Sequence, residues 1–340
     1  AAIAGLRDVQ VNNLTSTQTQ ALTSSQVKAL TTAQLNALTT VQASSLTSAQ
    51  VSVLSTAQLG SLSVGNVTAL ATASISGLTT GQVKALTTDK LDALSSAQIK
   101  ALTTAQIATL TAAQVSKLTS DAAEVSVLTT AQIKALSNTA VTGLTAGQLG
   151  KFDESQLQAL TTGQIRALSA TQLDALTTSQ IDKLTTLQVS VLNASQVAAL
   201  TTSGNTGEVA KLTTAQINAL SASAVTGLTT DQLKVMDADQ LKSLTTAQIK
   251  SLTTNQITAL TSLQVDKLTS QQMSVLTASQ FTALVANTAE MKTLSTDQIR
   301  GLSNSVLTSI ASTNLQVMTT DQIQALSTSQ VKALTSAQIT

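Results

Sequence analysis

Large apolar residues recur along this chain with a period of eight. Counting Leu6 as position 1, that position recurs unbroken to Leu118. It resumes at Leu128 and runs to Leu200, then from Leu212 to Leu284, and from Leu294 to Leu334. It is Leu almost throughout, and its exceptions, Phe152, Met236, Ile310 and Met318, are also large and apolar. A second apolar position follows at 6, usually Ile, Val or Leu, as at Ile99, Ile107 and Val115. The positions between are polar or small. Position 2 is Thr or Ser nearly everywhere, with Asp at 153 and 237 and Asn at 193. Position 5 is usually Gln, as at Gln26, Gln34, Gln82, Gln106 and Gln132. Positions 4 and 8 are often Ala or Gly, and positions 3 and 7 vary among Ser, Thr, Lys28, Asp92, Arg166 and Asp182.

These positions match the devices that start a helix. Thr, Ser, Asp and Asn carry short oxygen side chains that cap a helix N-terminus. Gln three residues after Thr makes a capping box, in which each side chain satisfies the other's backbone N–H. With position 2 as the cap, positions 1 and 6 form the apolar pair of a hydrophobic staple. Each octad therefore predicts one helix of about seven residues, a length that is marginal alone and must stack on its neighbours. One continuous helix is disfavoured, because eight residues rotate the apolar stripe by about 80° against a 3.6-residue period. The expected fold is all-α, a repeat solenoid of short two-turn helices, one per eight-residue repeat. The alternative is a β-solenoid with stacked Thr, Gln and Leu ladders, against which stand the helix-forming Ala, Leu, Gln and Lys and the lack of a turn signal in each coil.

Two, four and two extra residues interrupt the period. The segments Asp121-Ala-Ala-Glu124, Asn205-Thr-Gly-Glu208 and Asn287-Thr-Ala-Glu290 lie at these breaks, each ahead of the next apolar pair. A capping box with Glu as its third residue is expected at each. The extra residues should lie in connections, where length is tolerated. Residues 1–340 are thus expected to form a single continuous octad array, with insertions near 119–124, 201–208 and 285–290. Small residues at positions 4 and 8 should let helices approach closely, and positions 3 and 7 should face solvent. Phe152, Phe281, Met273 and Met291 fall on apolar positions and read as core. The cap position is defective at Arg7, Ala71 and Ala311, and Val306 and Asn314 replace Gln, so 303–318 should be the least regular stretch besides the insertions. The array starts and stops within an octad and shows no polar terminal caps, which points to continuation or to end-to-end stacking on another copy.

Composition adds mostly exclusions. Among 340 residues there is no Cys, His, Trp, Tyr or Pro, and only 10% are charged, with net charge +1. Such a chain has no field to attract nucleic acid or an anionic membrane. No apolar run approaches the ~20 residues needed to span a bilayer. Without His, a His-activated nucleophile is impossible, and without Cys the usual zinc ligand sets are too. Paired carboxylates remain, at Asp153 with Glu154, Asp237 with Asp239, and Asp121 with Glu124; a cap plus a first-turn acid accounts for each. Gly204-Asn205-Thr206-Gly207 lacks the Lys-Ser/Thr of a phosphate loop. Asn13, Asn66 and Asn193 begin Asn-x-Ser/Thr triplets of the kind that arise by chance in a Ser/Thr-rich chain. No catalytic, cofactor-binding or metal-binding residue is expected, and an enzyme is not.

The Leu-Thr-x-x-Gln-Ile/Val-x-Ala-Leu octads resemble those of large low-complexity repeat proteins secreted by bacteria or found on their surfaces, often described as adhesin-like. That resemblance implies an extracellular structural or adhesive element. Leu228-Thr-Thr-Asp-Gln-Leu233 also resembles the opening of a TAL-effector repeat, but that family repeats about every 34 residues with two base-reading positions, and DNA binding is not implied for a nearly uncharged octad. The expected function is a rod-like segment of an extracellular filament, stalk, sheath or surface layer. Its expected partners are copies of itself, end-to-end or lateral, and cell-surface components, with no nucleic acid and no membrane span. The alternative is a binding module recognising a glycan or protein through a solenoid face or the inserted loops.

Overall fold

Each described octad becomes one helix. The computed structural model describes residues 3–118, 127–200, 208–286 and 288–339. Among these it holds 40 short α-helices of four to seven residues and no strand, so the chain is an all-α repeat solenoid rather than a β-solenoid. Most helices are shorter than the expected seven residues. The reason lies at position 1: Leu86, after helix Thr80–Ala85, has φ −61° and ψ 137° and so leaves the helix for the extended connection to the next cap.

The helix starts follow the sequence closely. At helix Thr246–Ser251, the Thr245 hydroxyl accepts from the Gln248 backbone N–H at 3.2 Å, and the Thr245 N–H donates to Gln248 Oε1 at 2.7 Å. The same reciprocal pair recurs with Ser, Asp and Asn caps, as at Ser95, Asp153 and Asn193. Arg7, Ala71 and Ala311 make no side-chain cap, as their residue types require. Helices nonetheless form at Thr72–Ser76 and Ser312–Gln316, and in the weak stretch 303–318 generally, because packing rather than capping holds so short a helix.

Positions 1 and 6 form the core. Ile99, Ile133, Ile165 and Ile217 are fully enclosed, and the leucines of position 1 nearly so from Leu30 to Leu302, whereas Leu14 and Leu334 are half-buried and Ile323 and Val331 are exposed. Phe152, Phe281, Met236, Met273, Met291 and Ile310 are buried, as their positions predict. Two octads place a non-bulky residue at position 6, Thr19 and Ala43, and both are buried; the Thr19 hydroxyl donates to the Thr15 carbonyl at 2.9 Å. Position 8 provides the close approaches: a Cβ on Gly77, Gly143, Gly227 or Gly301 would collide with Ser48, Ala112, Ala194 or Ser270. Position 4 is mostly open. Gly81 and Gly147 have nothing within 4 Å of a Cβ position, Val41, Leu187 and Leu263 are exposed there, and a Cβ on Gly163 would meet only the end of the Asn138 side chain. The small residues of position 4 line an open face, because that side of a two-turn helix points away from both core neighbours.

The residues fall into two compact units, Ala1–Leu168 and Ser169–Thr340. In the first, a column runs from Ser16–Ala21 through Thr40–Ser45, Val64–Ala69, Thr88–Asp92, Ala112–Leu118 and Asn138–Val141 to Thr162–Ala167, each helix packed on the one three octads before it. In the second, Ala194–Ala198, Ala222–Val225, Thr246–Ser251, Ser270–Ser274 and Thr296–Gly301 do the same. The insertion residues 119–126 and 201–207 lie outside the described residues, as does Asn287, and with them the boxes expected at Asn205 and Asn287, the Asp121–Glu124 pair and the Gly204–Gly207 segment. Glu208 and Glu290 are described: both Glu208 carboxylate oxygens lack a partner, and Glu290 accepts from Ser262 with one oxygen while the other is buried without a partner.

Candidate functional site

A helix of five residues leaves most of its backbone groups unpaired at both ends. The N-terminal donors are served by the capping box. The C-terminal carbonyls are served by the same glutamines, from a different coil. Gln42 Oε1 accepts from its own cap, Thr39, while its Nε2 donates to the carbonyls of Val11, Asn12 and Leu14 at 2.9, 3.2 and 2.7 Å. Those carbonyls close the helix four octads earlier, Asp8–Asn12. A coil therefore lies between three helices, the distance of the packed columns, and four, the reach of the glutamine.

This arrangement repeats along each unit. In the first, Gln106 reaches Ile75, Ser76 and Leu78. In the second, Gln248 reaches Ile217, Asn218 and Leu220, and Gln280 reaches Ile249, Lys250 and Leu252. Where two inserted residues intervene, the reach lengthens from 31 and 28 residues to 33 and 30, as from Gln132 to Ile99 and Leu102. The bonds are kept at the longer reach. Most of these glutamines are buried. A buried polar group left without a partner costs roughly 1–3 kcal/mol, so each amide avoids that cost at two helix ends at once. The octad sequence predicts the capping half of this bond set. It does not show the second half, which depends on which coil stacks above which.

The exceptions at position 5 show what the place demands. Asn66 still donates, to Leu38 at 2.9 Å, and Ser74 to Leu46 at 2.6 Å. Lys90 keeps a donor there, its ammonium on the Gly60 carbonyl, and burial lowers its pKa. Ala140 and Ala224 cannot donate. Their octads, like that of Ser74, end in a close-packed glycine, Gly143, Gly227 and Gly77, so a short residue at position 5 accompanies a tighter approach at position 8.

The acids singled out from the sequence are placed as caps. Asp153 accepts from the Gln156 N–H at 2.8 Å, and Asp237 from Asp239 and Gln240 at 2.9 and 2.8 Å. Glu154 accepts from Gln158 at 3.2 Å and Asp239 contributes its backbone N–H to Asp237, so neither pair is arranged for proton transfer. Asn193 is a cap, Asn13 is an exposed residue ending Asp8–Asn12, and Asn66 is 2% exposed with its amide bonded, closed to a glycan. The three ion pairs among the described residues, Lys183–Asp182, Lys234–Asp231 and Arg300–Asp297, join neighbours on the surface and contribute little. Among the described residues no group of three or more acidic, His or Cys side chains is placed to hold a metal, and no helix is long and apolar enough to cross a membrane.

Among the described residues Glu208 is the one strongly perturbed acid. It is fully buried, and burial, followed by the nearby Asp174 carboxylate, pushes its carboxyl up to about 7. Its place explains this. It stands at position 5, where a donor is required, and has none to give when ionised.

Comparison with curated proteins returns no match. A family model does match: residues 88–120, 149–186, 233–270 and 307–340 each fit the ALTTAQ repeat. Each match covers about four octads, close to one coil, and residues 101–106 read Ala-Leu-Thr-Thr-Ala-Gln outright. The chain is thus a repeat protein, four segments of which match the ALTTAQ repeat.

Proposed function

We propose that this protein is a structural element: a repeat segment of an extracellular bacterial filament, stalk, sheath or surface layer, joined to copies of itself. The observation that carries the reading is the glutamine ladder. In octad after octad, the polar side chains that could bind or transform a ligand are bonded to helix ends, and the hydroxyls of position 2 are bonded to the ladder. What remains exposed is a periodic surface: Ser, Thr and Ala predominate at positions 3 and 4, and position 7 carries the more frequent charges, such as Lys100, Arg166 and Lys250, in a chain only 10% charged. Such a surface suits lateral contact with another periodic surface. Its function would reside in length and regularity, and no catalytic role is proposed.

Electron microscopy of the purified protein tests assembly. Filaments, sheets or bundles are expected at increasing concentration, and a dispersed monomer at every concentration would overturn the reading. Protease shaving of intact cells tests the location. The protein should be cleaved from living cells without lysis; full protection under conditions that strip known surface proteins would refute an outside location.

A further inference from the structure

Glu290 stands where the ladder needs a donor. The preceding rung, Gln280, reaches Ile249, Lys250 and Leu252. One octad on, and with the 33- and 30-residue reach seen from Gln298 to Val265 and Leu268 across the same insertion, the carbonyls facing Glu290 are those of Ile257, Thr258 and Leu260. These three residues line a cavity of about 150 Å³ that Glu290 also lines, closed on its apolar side by Val265 and Leu284. Glu290 does not fill it as a glutamine would. One carboxylate oxygen accepts from the Ser262 hydroxyl, and the other is buried with no partner.

We propose that Glu290 and the carbonyl oxygens of Ile257, Thr258 and Leu260 form a binding site for a hard metal cation. The carbonyl geometry supports this. On the rung below, one nitrogen sits 3.0, 3.3 and 2.7 Å from the three equivalent carbonyl oxygens, so such a triad converges on one point. Carbonyl and carboxylate oxygens are the ligands that Ca²⁺ takes, at about 2.3–2.6 Å, in flexible arrangements that water completes. Na⁺ shares that ligand chemistry. Mg²⁺ needs near-ideal octahedral geometry at about 2.0–2.1 Å, which a triad spaced for an amide does not offer. A proton is a poorer solution, because one carboxylic O–H can serve only one of three carbonyls. The cavity has room for the waters a cation would keep.

The same replacement occurs at Glu208. There the insertion is four residues, and the 35-, 34- and 32-residue reach of Gln232 to Val197, Ala198 and Leu200 puts Leu173, Asp174 and Leu176 opposite Glu208. Its carboxylate is buried without a partner, and the Asp174 carboxylate is close enough to raise its pKa further. In this sequence Glu occupies position 5 only in the octads that follow an insertion, at 124, 208 and 290.

The test uses the full chain with Glu124 and Glu208 replaced by Gln, so that Glu290 is the one carboxylate left at position 5. Circular-dichroism melts are recorded in CaCl₂, in NaCl and in choline chloride at matched ionic strength, with and without Glu290→Gln. The expected result is a saturable rise in Tm of about 3–5 °C with Ca²⁺ or Na⁺, whichever fits, over choline. Glu290→Gln should abolish that rise while melting at least as high in choline, since it restores the ladder amide. No rise above choline, or an equal rise in the Glu290→Gln chain, overturns the site. Equilibrium dialysis with ⁴⁵Ca²⁺ and ²²Na⁺ gives a reading independent of folding: one equivalent of either ion, lost in Glu290→Gln, supports the site, and no bound ion refutes it.

Discussion

Gln280 and Glu290 occupy the same place in successive octads of the second unit, and one atom separates their chemistry. The Gln280 amide accepts from the Thr277 N–H and donates to three carbonyls of an earlier coil. The Glu290 carboxylate can only accept. It turns to Ser262 and leaves a cavity beside Ile257, Thr258 and Leu260. The contrast shows that position 5 is chosen for being donor and acceptor at once. A carboxylate satisfies the local capping rule equally well and fails the tertiary one.

The strongest way to break this comparison is to place a carboxylate on an ordinary rung. Gln248→Glu keeps a capping-box residue but aims an anion at Ile217, Asn218 and Leu220, with no inserted loop to yield. A loss of about 3–5 kcal/mol is expected, as for an uncompensated buried charge, read by denaturant unfolding followed by circular dichroism. If Gln248→Glu costs no more than Thr245→Ala, at about 1 kcal/mol, the donor half of the amide does not matter.

Glycines sharpen the point at position 8. In Gly227→Ala the new methyl would meet the Ala194 carbonyl, and a loss of about 1–3 kcal/mol is expected. Gly147→Ala, at open position 4, should instead gain roughly 0.5–1 kcal/mol. Equal effects would contradict the assignment of position 8 to the crossing and position 4 to solvent.

Glu208 makes the carboxylate's cost dependent on pH. At pH values below its ordinary 4.5 the carboxyl is neutral in folded and unfolded chains alike, and its contribution is fully present. As pH rises, the unfolded chain ionises first, so stability falls until the folded group has also ionised, near 7. Glu208→Gln should remove this decline and stabilise the neutral-pH protein by roughly 1–3 kcal/mol, seen as Tm against pH from 4 to 8. An unchanged pH profile would show that Glu208 is satisfied when ionised. The smallest effect is at a cap: Ala71→Thr should supply the missing acceptor for Thr72–Ser76 and add about 0.5–1 kcal/mol.

Much of the fold was legible before any coordinates. Thr245 and Gln248 announce a helix start because their bond is local, three residues apart, and the apolar pair at positions 1 and 6 names the core by residue type alone. Position 4 was misjudged because Ala suits both a tight crossing and an exposed helix surface. The local rule treats Glu and Gln alike, so it gives no warning that the Glu208 carboxylate is buried without a partner or that one Glu290 oxygen is.

By itself, then, the sequence determined that each eight residues make one capped, short helix with a two-position apolar face. Those interactions close within an octad, so residue identity suffices to specify them. Only the tertiary structure decided which helices stack, three octads apart, and which carbonyls each glutamine serves, four octads back. That offset comes from how short helices pack around an apolar core, a geometry that no single octad contains, and it gives Gln280 four partners and leaves Glu290 wanting a positive one.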